Sequence, residues 1–394
     1  MALSQITINR GQGGLGRPLT SNDHISGFTM PFVNANLPAG FATTDRIKVV
    51  YSIAELEALG VAQGATNMKT LWYHVNQFFL IQPNGKLYVQ LTDSTAITYL
   101  ETVTLQNFAN GEIKQIAYYD AQTTFASGNV TTLQTGANTL QTQQTPVSII
   151  YTANFQATSS LSTLPDLRAL SAKNVSVCVG EDGASTGAAL AISEAKSLSC
   201  IGTLLGAISL SSVHENIGWI EKFNLVQGLE LDEPAFTIGT ATVLAKNQTN
   251  AALTSLNDYG YIFIKKQIGV NGTYFNDSPT AIAATSDYAY IESNRTIDKA
   301  IRGINAKMLP NLNSPLYVTN AGLLTEDVIA KFKNDCSLAL ETMDIDGEIS
   351  AFKVTINPLQ NVLSTGKISI GVKIVPVGVA RQIEINIGFA VKVS

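Results

Sequence analysis

The stretch QIEINIGFAVKVS, residues 382–394, ends the sequence in the pattern of a β-strand. Its apolar side chains alternate with polar or small ones, at Ile383, Ile385, Ile387, Phe389, Val391 and Val393. A period of two is typical of a strand that buries one face. Burying this set would contribute on the order of 10 kcal/mol before the cost of ordering the chain. We therefore expect the strand to be paired, either inside its own protomer or against another copy of the chain.

The first residues carry a second, shorter pattern of the same kind. Ile6 and Ile8 alternate with polar residues, and the glycine-rich stretch 11–16 follows. Glycine lets the backbone turn freely away from the body of the protein. Two terminal strands, one on a flexible tether, fit strand exchange between protomers, because an exposed strand edge can pair with a neighbouring chain. The patterns fit equally well with two strands that close the protomer's own sheet.

The composition of the 394 residues is unusually low in charge. Hydrophobic residues make up 45% of the chain and charged residues only 14%, against about a quarter charged in typical soluble proteins. We therefore expect much of the surface to be covered by other subunits. The net charge of −5 argues against nucleic acid as a partner, because phosphate binding needs clustered Lys and Arg side chains.

Compartment signals are few. Three widely spaced cysteines, Cys178, Cys200 and Cys336, show no metal or redox spacing and fit a reducing compartment. The N-terminus lacks the basic and apolar regions of a signal peptide. The longest apolar stretch, residues 198–210, is too short to span a bilayer. The sequence predicts synthesis in a cytoplasm and no membrane insertion.

The alternation of elements along the chain indicates two kinds of fold unit. Between residues 47 and 210, short apolar strands alternate with amphipathic helices, which predicts a layered α/β domain with a mostly parallel sheet. Within it we interpret residues 21–44 as loop and residues 185–210 as one long helix. Helices at 295–309 and 326–343 then precede strands at 352–356, 368–374 and 383–393, which predicts an α+β unit. The predicted division is 1–20, an N-terminal arm; 21–240, the α/β domain; and 241–394, the α+β domain.

Two segments of the second unit carry a resemblance to a known family. They are YGYIFIKKQIGVNGTYFNDSPTAIAATSDYAYIESNRTIDKAIRGINAKMLPNLNSP, residues 259–315, and TINPLQNVLSTGKISIGVKIVPVGVARQIEINIGFAV, residues 355–391. They resemble contractile tail sheath proteins of tailed phages and related contractile injection systems. More narrowly, they are similar to the sheath-like family of Mu-type phages and Bacteroidetes-associated elements. The resemblance covers residues 240–394 well and is only general upstream.

The resemblance implies a structural role with defined partners. A subunit of this family polymerises as stacked rings of six in a helical lattice around an inner tube, and contracts to drive the tube through the target cell envelope. The implied partners are other copies of the chain, the tail tube protein, and the baseplate and tail terminator proteins. The implied location is a virion tail or contractile injection particle, assembled in the bacterial host cytoplasm.

The resemblance also implies roles for the parts of the chain. The α/β domain would be the outer domain, and the α+β domain the conserved sheath assembly domain with terminal exchanged strands. The inter-subunit linking strands would then carry the apolar residues Ile6, Ile8, Ile383, Ile385, Ile387, Phe389, Val391 and Val393.

Two motifs suggest ligand chemistry that their context does not support. Gly11-x-Gly13-x-x-Gly16 matches a dinucleotide fingerprint, but Arg17-Pro18 and a loop follow it where the phosphate site needs a helix N-terminus. Asp344-Ile345-Asp346-Gly347-Glu348 has the alternating carboxylates of a calcium loop but lacks the later bidentate glutamate, so we interpret it as a helix-to-strand turn. We expect no cofactor and no bound metal.

Catalytic residues are also not indicated. His24, His74 and His214 have no nucleophile at a strained turn nearby, so we expect a non-enzymatic protein. Arg295 lies at a strand-to-helix junction and has two interpretations: a salt bridge that holds the junction, within the core or between protomers, or a solvated arginine in the first helical turn.

Two alternative functions remain open at this stage. A tail tube or other ring-forming virion structural protein is one, although such proteins are typically shorter and built as β-barrels. An oligomeric α/β enzyme is the other, and the missing site motifs weigh against it.

Overall fold

The computed structural model of the protein describes residues 22–389. Its strands are β1 (Ser26–Phe32), β2 (Ile47–Val50), β3 (Leu87–Asp93), β4 (Gln115–Thr124), β5 (Ser148–Asn154), β6 (Val175–Cys178), β7 (Glu181–Asp182), β8 (Pro234–Ile238), β9 (Ala241–Leu244), β10 (Tyr261–Ile262), β11 (Ile264–Gln267), β12 (Val270–Phe275), β13 (Ile349–Ile356) and β14 (Ile370–Pro376). Its α-helices are α1 (Ile53–Ala58), α2 (Lys69–Ile81), α3 (Glu101–Phe108), α4 (Ser127–Thr142), α5 (Thr186–Glu194), α6 (Ile201–Leu210), α7 (Asn250–Asp258), α8 (Ile291–Met308), α9 (Glu326–Ile345) and α10 (Val362–Thr365).

Seven of these strands form one sheet in the order β10-β6-β5-β4-β1-β3-β2. All neighbouring pairs are parallel except β2 and β3, which are antiparallel. Parallel strands covered on both faces read as nearly continuous apolar runs, and all seven residues of β1 are buried. The predicted α/β domain with a mostly parallel sheet is confirmed.

The sheet separates two hydrophobic cores because alternate side chains of each strand point to opposite faces. On one face Ile150 of β5 packs in the core that α2 and α6 cover. On the other face its neighbours Ile149 and Tyr151 pack with residues of α3, α4 and α7. The result is a helix–sheet–helix layering.

Strand β1 is an interior strand of the sheet, between β4 and β3, although the sequence predicted loop over residues 21–44. Gly27 and Pro31 indicate a turn in sequence, yet both have a place in this strand. A Cβ at Gly27 would lie 2.8 Å from the Leu105 side chain of α3, so close packing requires glycine there. Pairing with β4 stops at Thr29, while pairing with β3 continues to Phe32. Pro31, which has no N–H to donate, therefore lies where one side of the strand has no strand partner.

The predicted long helix over residues 185–210 is two helices, α5 and α6. Helix α5 ends at Glu194, and the next residue, Ala195, has a left-handed φ of 49°. The segment between the helices is held by a buried carboxylate, because Ser197 Oγ and Leu198 N donate to Glu181 Oε1 over 2.8 Å and 3.1 Å. Helix α6 then packs closely against α2.

The second unit contains the long helices α8 and α9 and the antiparallel pair β13–β14. A small core joins them, with Ala300 of α8, Cys336, Leu340 and Met343 of α9, and Ile349 and Val354 of β13. This confirms an α+β unit near the end of the chain. The predicted division at residue 240 stays a prediction, and the main sheet takes its edge strand β10 from beyond that point.

Membrane insertion is the remaining fold-level question. Between residues 22 and 389, none of the helices has both the length and the apolar character that a membrane span requires.

The contact between α6 and α2 generates a first prediction. A Cβ at Gly202 would lie 2.8 Å from His74 Cα and overlap the backbone oxygen of the same residue. We expect Gly202→Ala to lower the free energy of unfolding, measured by urea titration, by about 2 kcal/mol because the helices must separate. Gly128→Ala in α4 is the matched control: nothing lies within 4 Å of its Cβ position, so the change should be neutral or stabilise by up to about 1 kcal/mol. An unchanged stability of Gly202→Ala would contradict the close contact.

The Glu181 carboxyl generates a second prediction. It is buried, accepts a 2.5 Å hydrogen bond from Thr237 Oγ1, and has a pKa raised by burial from 4.5 to about 7. The folded state therefore holds the proton more tightly than the unfolded state, so the associated stability is present below about pH 4.5 and is lost as the pH rises through 7.

We expect Glu181→Gln to remove this slope. The difference in unfolding free energy, variant minus natural chain, should be larger at pH 8 than at pH 4 by on the order of 3 kcal/mol. Urea titrations at the two pH values measure the difference. Glu341→Gln, at an exposed position of α9, is the control. Parallel pH profiles of Glu181→Gln and the natural chain would refute the account.

Candidate assembly surface

The chain leaves the folded body after β14 as an exposed apolar segment. Residues 377–389 contain no helix or strand. The side chains of Ile383, Ile385, Ile387 and Phe389 are each at least 78% exposed. The apolar side chains that the sequence predicted to be buried therefore contact water over the described part of this segment.

The predicted strand 383–393 thus has no pairing over residues 383–389. A strand forms only where another backbone lies alongside, and none lies beside this segment within the described protomer. Over these residues the segment does not close the protomer's own sheet. Ile6, Ile8, Val391 and Val393, the other predicted linking residues, lie outside the described residues.

The sheet nearest to this segment in sequence has unpaired edges. Strands β13 and β14 pair only with each other in the part of the chain that the structure describes. Each strand therefore keeps one edge whose backbone N–H and C=O groups have no strand partner. Such edges accept a further strand readily.

Charged and aromatic side chains bind Arg381, which lies just before the exposed apolar residues. The guanidinium carbon lies 3.4 Å from the ring centroid of Tyr290. Arg381 Nε donates to Asp277 Oδ2 over 3.0 Å, and its terminal nitrogen donates to Glu292 Oε1. We call Asp277, Tyr290 and Glu292 the Arg381 socket.

The socket is supported by neutral side chains behind it. Glu292, in the first turn of α8, is buried, and it accepts hydrogen bonds from Asn216 Nδ2 over 3.2 Å and from Ser278 Oγ. Burial raises the pKa of the Glu292 carboxyl, and the charge of Arg381 acts in the opposite direction. Asn216 Nδ2 also donates to Asp277 Oδ1 over 2.6 Å. Asn216 thus bridges the two carboxylates.

The other end of the described chain is held by Lys299 of the same helix. Its Nζ lies 2.7 Å from Asp23 Oδ2 and 2.6 Å from Glu348 Oε1. Burial lowers the pKa of Lys299, but the two carboxylates outweigh it and raise the pKa overall. Residues 292 and 299 are seven positions apart, so they share one helix face at a separation of about 10 Å. Helix α8 therefore binds Asp23, near the start of the described chain, and Arg381, near its end.

Arg295 lies on the same face, between these two residues. Its side chain is buried and donates to Ser211 O over 3.2 Å, Ser211 Oγ over 2.7 Å and Ser212 O over 3.3 Å. No ion pair within residues 22–389 includes it. The side chain is not solvated in the protomer, and hydrogen bonds to neutral oxygens take the place of an ion pair within it; a salt bridge between protomers stays a prediction. Arg295 thereby joins the first turns of α8 to the residues that directly follow α6.

Further charges complete this buried polar face. Arg302 donates to Pro146 O over 3.1 Å. Burial raises the pKa of Asp298 to about 6 and lowers the pKa of Lys114 to about 8. The polar side of α8 thus packs against the α/β domain and carries several ionisable side chains out of water.

The motifs considered for ligand chemistry have structural roles or lie elsewhere. Glu348 pairs with Lys299, and Gly347 has φ 70°, so residues 346–348 form the expected turn between the end of α9 and β13. His74 is buried against the rings of Phe28 and Tyr119. The glycine fingerprint falls outside the described residues. Among residues 22–389, no cluster of three or more His, Cys, Asp or Glu side chains could hold a metal ion.

The sequence also matches two family models. The model described as DUF2586, N-terminal domain, matches residues 3–279, and the model described as DUF2586, C-terminal domain, matches residues 287–394. The two spans leave residues 280–286 between them, and the socket residues Asp277 and Tyr290 lie on either side of this gap. No curated protein matches the chain.

Solved structures with the same fold cover nearly the whole chain. A chain of the anti-feeding prophage baseplate, in its 6-fold symmetrised structure, is 16% identical with a TM-score of 0.63, over 99% of each chain. A chain of an extracellular contractile injection system, the PVC sheath complex in its contracted state, is 13% identical with a TM-score of 0.59, over 98% of this chain and 99% of the other. The sheath tail protein from Desulfitobacterium hafniense is 10% identical with a TM-score of 0.54, over 95% and 100%. The predicted resemblance to tail sheath proteins is confirmed in the fold.

The double ion pair of Lys299 generates a third prediction. Glu348 is 6% exposed, so removing the lysine charge leaves a buried carboxylate without its cation. We expect Lys299→Met to lower the free energy of unfolding by about 2 kcal/mol at pH 7, measured by urea titration. Lys246→Met is the control, because its side chain is 62% exposed in its ion pair with Glu233 and should change stability by less than about 1 kcal/mol. Equal effects of the two substitutions would contradict the structural role of Lys299.

Proposed function

The chain belongs to the DUF2586 family, and on that basis we propose that it is a structural, non-enzymatic subunit of a contractile tail sheath. The observations that carry the proposal are the apolar segment 383–389, exposed in the protomer, and the unpaired edges of the two-stranded sheet that precedes it in the chain. The near-complete coverage of chains from sheath and baseplate assemblies supports it.

The exposed segment is best satisfied by another copy of the chain. Side chains at Ile383, Ile385, Ile387 and Phe389 share one face of an extended segment, and leaving them in water forfeits the free energy of burial. Adding the segment to an open edge of β13–β14 in a neighbour would satisfy the backbone and bury that face together. The donor and acceptor surfaces differ, so the contact is heterologous, and its repetition builds rings or helical filaments.

The remaining parts follow from that contact. Residues 1–20, with Ile6 and Ile8, would supply a second linking strand, residues 21–240 the outer domain, and residues 241–394 the assembly domain. Two links per subunit join each copy in two directions, as stacked six-membered rings around an inner tube require. The partners would be the tube, baseplate and tail terminator proteins, in a virion tail or injection particle assembled in the host cytoplasm.

Contraction of this lattice would drive the tube through the target cell envelope. The free energy would come from a better-packed contracted lattice, so the chain itself needs no nucleotide. The full-length likeness to sheath-assembly chains favours this role over a tail tube protein. Nothing in the described residues favours an enzyme.

The polymer itself is the fourth prediction. We expect the purified chain to form striated hollow tubes under negative-stain electron microscopy. A chain that lacks residues 382–394 should remain folded, with unchanged thermal unfolding, but form no tubes, because the linking strand is missing. Small closed rings would favour the tube alternative, and discrete particles at all concentrations the enzyme alternative. Tubes from the truncated chain would rule out the linking role of the strand.

A matched pair of substitutions sharpens this test. Phe389→Asp places a charge on the apolar face, whereas Asn386→Asp places the same charge on the opposite face of the segment. Both residues are exposed in the protomer, so neither substitution should affect folding. We expect only Phe389→Asp to abolish tubes.

A further inference from the structure

We propose that Arg381 is a positioning residue: seated in its socket, it sets the direction in which the linking segment leaves the protomer and so selects the neighbour that the segment reaches. This inference rests on the proposed function for its consequence, but its physical basis is intramolecular. Arg381 lies two positions before Ile383, the first apolar residue of the segment.

The three contacts of Arg381 fix an orientation as well as a position. The guanidinium group lies against the Tyr290 ring, while Nε and a terminal nitrogen donate to two different residues, Asp277 and Glu292. A planar group with several fixed donors can be oriented in this way, whereas a lysine ammonium cannot.

The socket is built to receive a cation. Asp277 and Glu292 both accept from Asn216 Nδ2, so their carboxylates are close neighbours. Two close carboxylates repel each other unless a cation lies between them, and burial makes the repulsion costlier for Glu292. Arg381 is the cation paired with both among residues 22–389. Its departure would leave two unneutralised acids, so the closed arrangement is strongly favoured.

The wall of the socket is itself rigid. Arg168 lies 5.6 Å from the Tyr290 ring centroid and donates to the backbone oxygens of Thr280, Ile282 and Ala289. Thr280 and Ala289 flank the loop that leads into α8. The surface that receives Arg381 is therefore anchored to the α/β domain, through Arg168 and through the backbone bridge between Ala172 and Ala281.

The socket also shortens the flexible tether of the linking segment. Strand β14 ends at Pro376, and residues 377–380 connect it to Arg381. Without the socket, free movement would begin after Pro376; with it, movement begins after residue 381. A shorter tether with a fixed exit direction raises the effective concentration of the strand at one neighbour and lowers the ordering cost of docking.

The experiment combines a label in the free subunit with an assembly assay. The three native cysteines are buried, so a spin label attached after Asn386→Cys reports on the segment selectively. Arg381→Gln is compared with Lys367→Gln, an exposed lysine of the same region outside the socket. Measured below the concentration that gives tubes, the label should become more mobile only in Arg381→Gln. The critical concentration for tubes should rise by about ten-fold or more in that variant and stay unchanged in the control.

The outcomes separate the two proposals. Unchanged label mobility in Arg381→Gln would overturn the positioning role, and so would increased mobility with an unchanged critical concentration. If the natural chain forms no tubes at any concentration, the proposed function fails, while the mobility comparison still tests the socket. If Arg381→Gln does not fold, Asp277→Asn tests the same contact by changing the acceptor, and it should also increase the mobility of the label.

Discussion

The polar face of helix α8 is the constraint on which the rest of the molecule depends. Glu292, Arg295 and Lys299 are withdrawn from water along it, and each finds partners in a different segment. A buried charge without a partner is strongly destabilising, so the helix can sit in only one register against the α/β domain. That register places the two-stranded sheet, Asp23 and Arg381 relative to the main body.

The parts predicted from sequence are those whose information is local. The alternation of strands and helices along the sequence was enough to predict the parallel sheet. The alternation of apolar and polar residues was enough to single out residues 383–389. Strand β1 was missed because Gly27 and Pro31 signal a turn locally, while their fit depends on α3 and on where β4 stops pairing. The long helix was over-predicted because the carboxylate that holds its break, Glu181, lies upstream in another element.

The same distinction between local and long-range information applies to the candidate site. The apolar residues of the terminal segment could be named in advance, but their burial could not be assigned to one protomer or two. The Arg381 socket gave no sequence signal, because Arg381 meets Asp277 and Glu292 across 104 and 89 residues. Arg295 shows that residue type alone does not predict the partner of a side chain. Arginine at a helix start suggests an ion pair, yet here carbonyl and hydroxyl oxygens accept its hydrogen bonds.

Helix α8 binds Arg381 through Glu292 and Asp23 through Lys299, and the short distance between these two positions has a mechanical consequence. Residues 292 and 299 lie about 10 Å apart on one rigid rod. Tension applied to one chain end would pass to the other along this short path, without shearing the seven-stranded sheet. Insertions or surface changes in the α/β body that spare Asp23, Arg381 and helix α8 would leave this path intact.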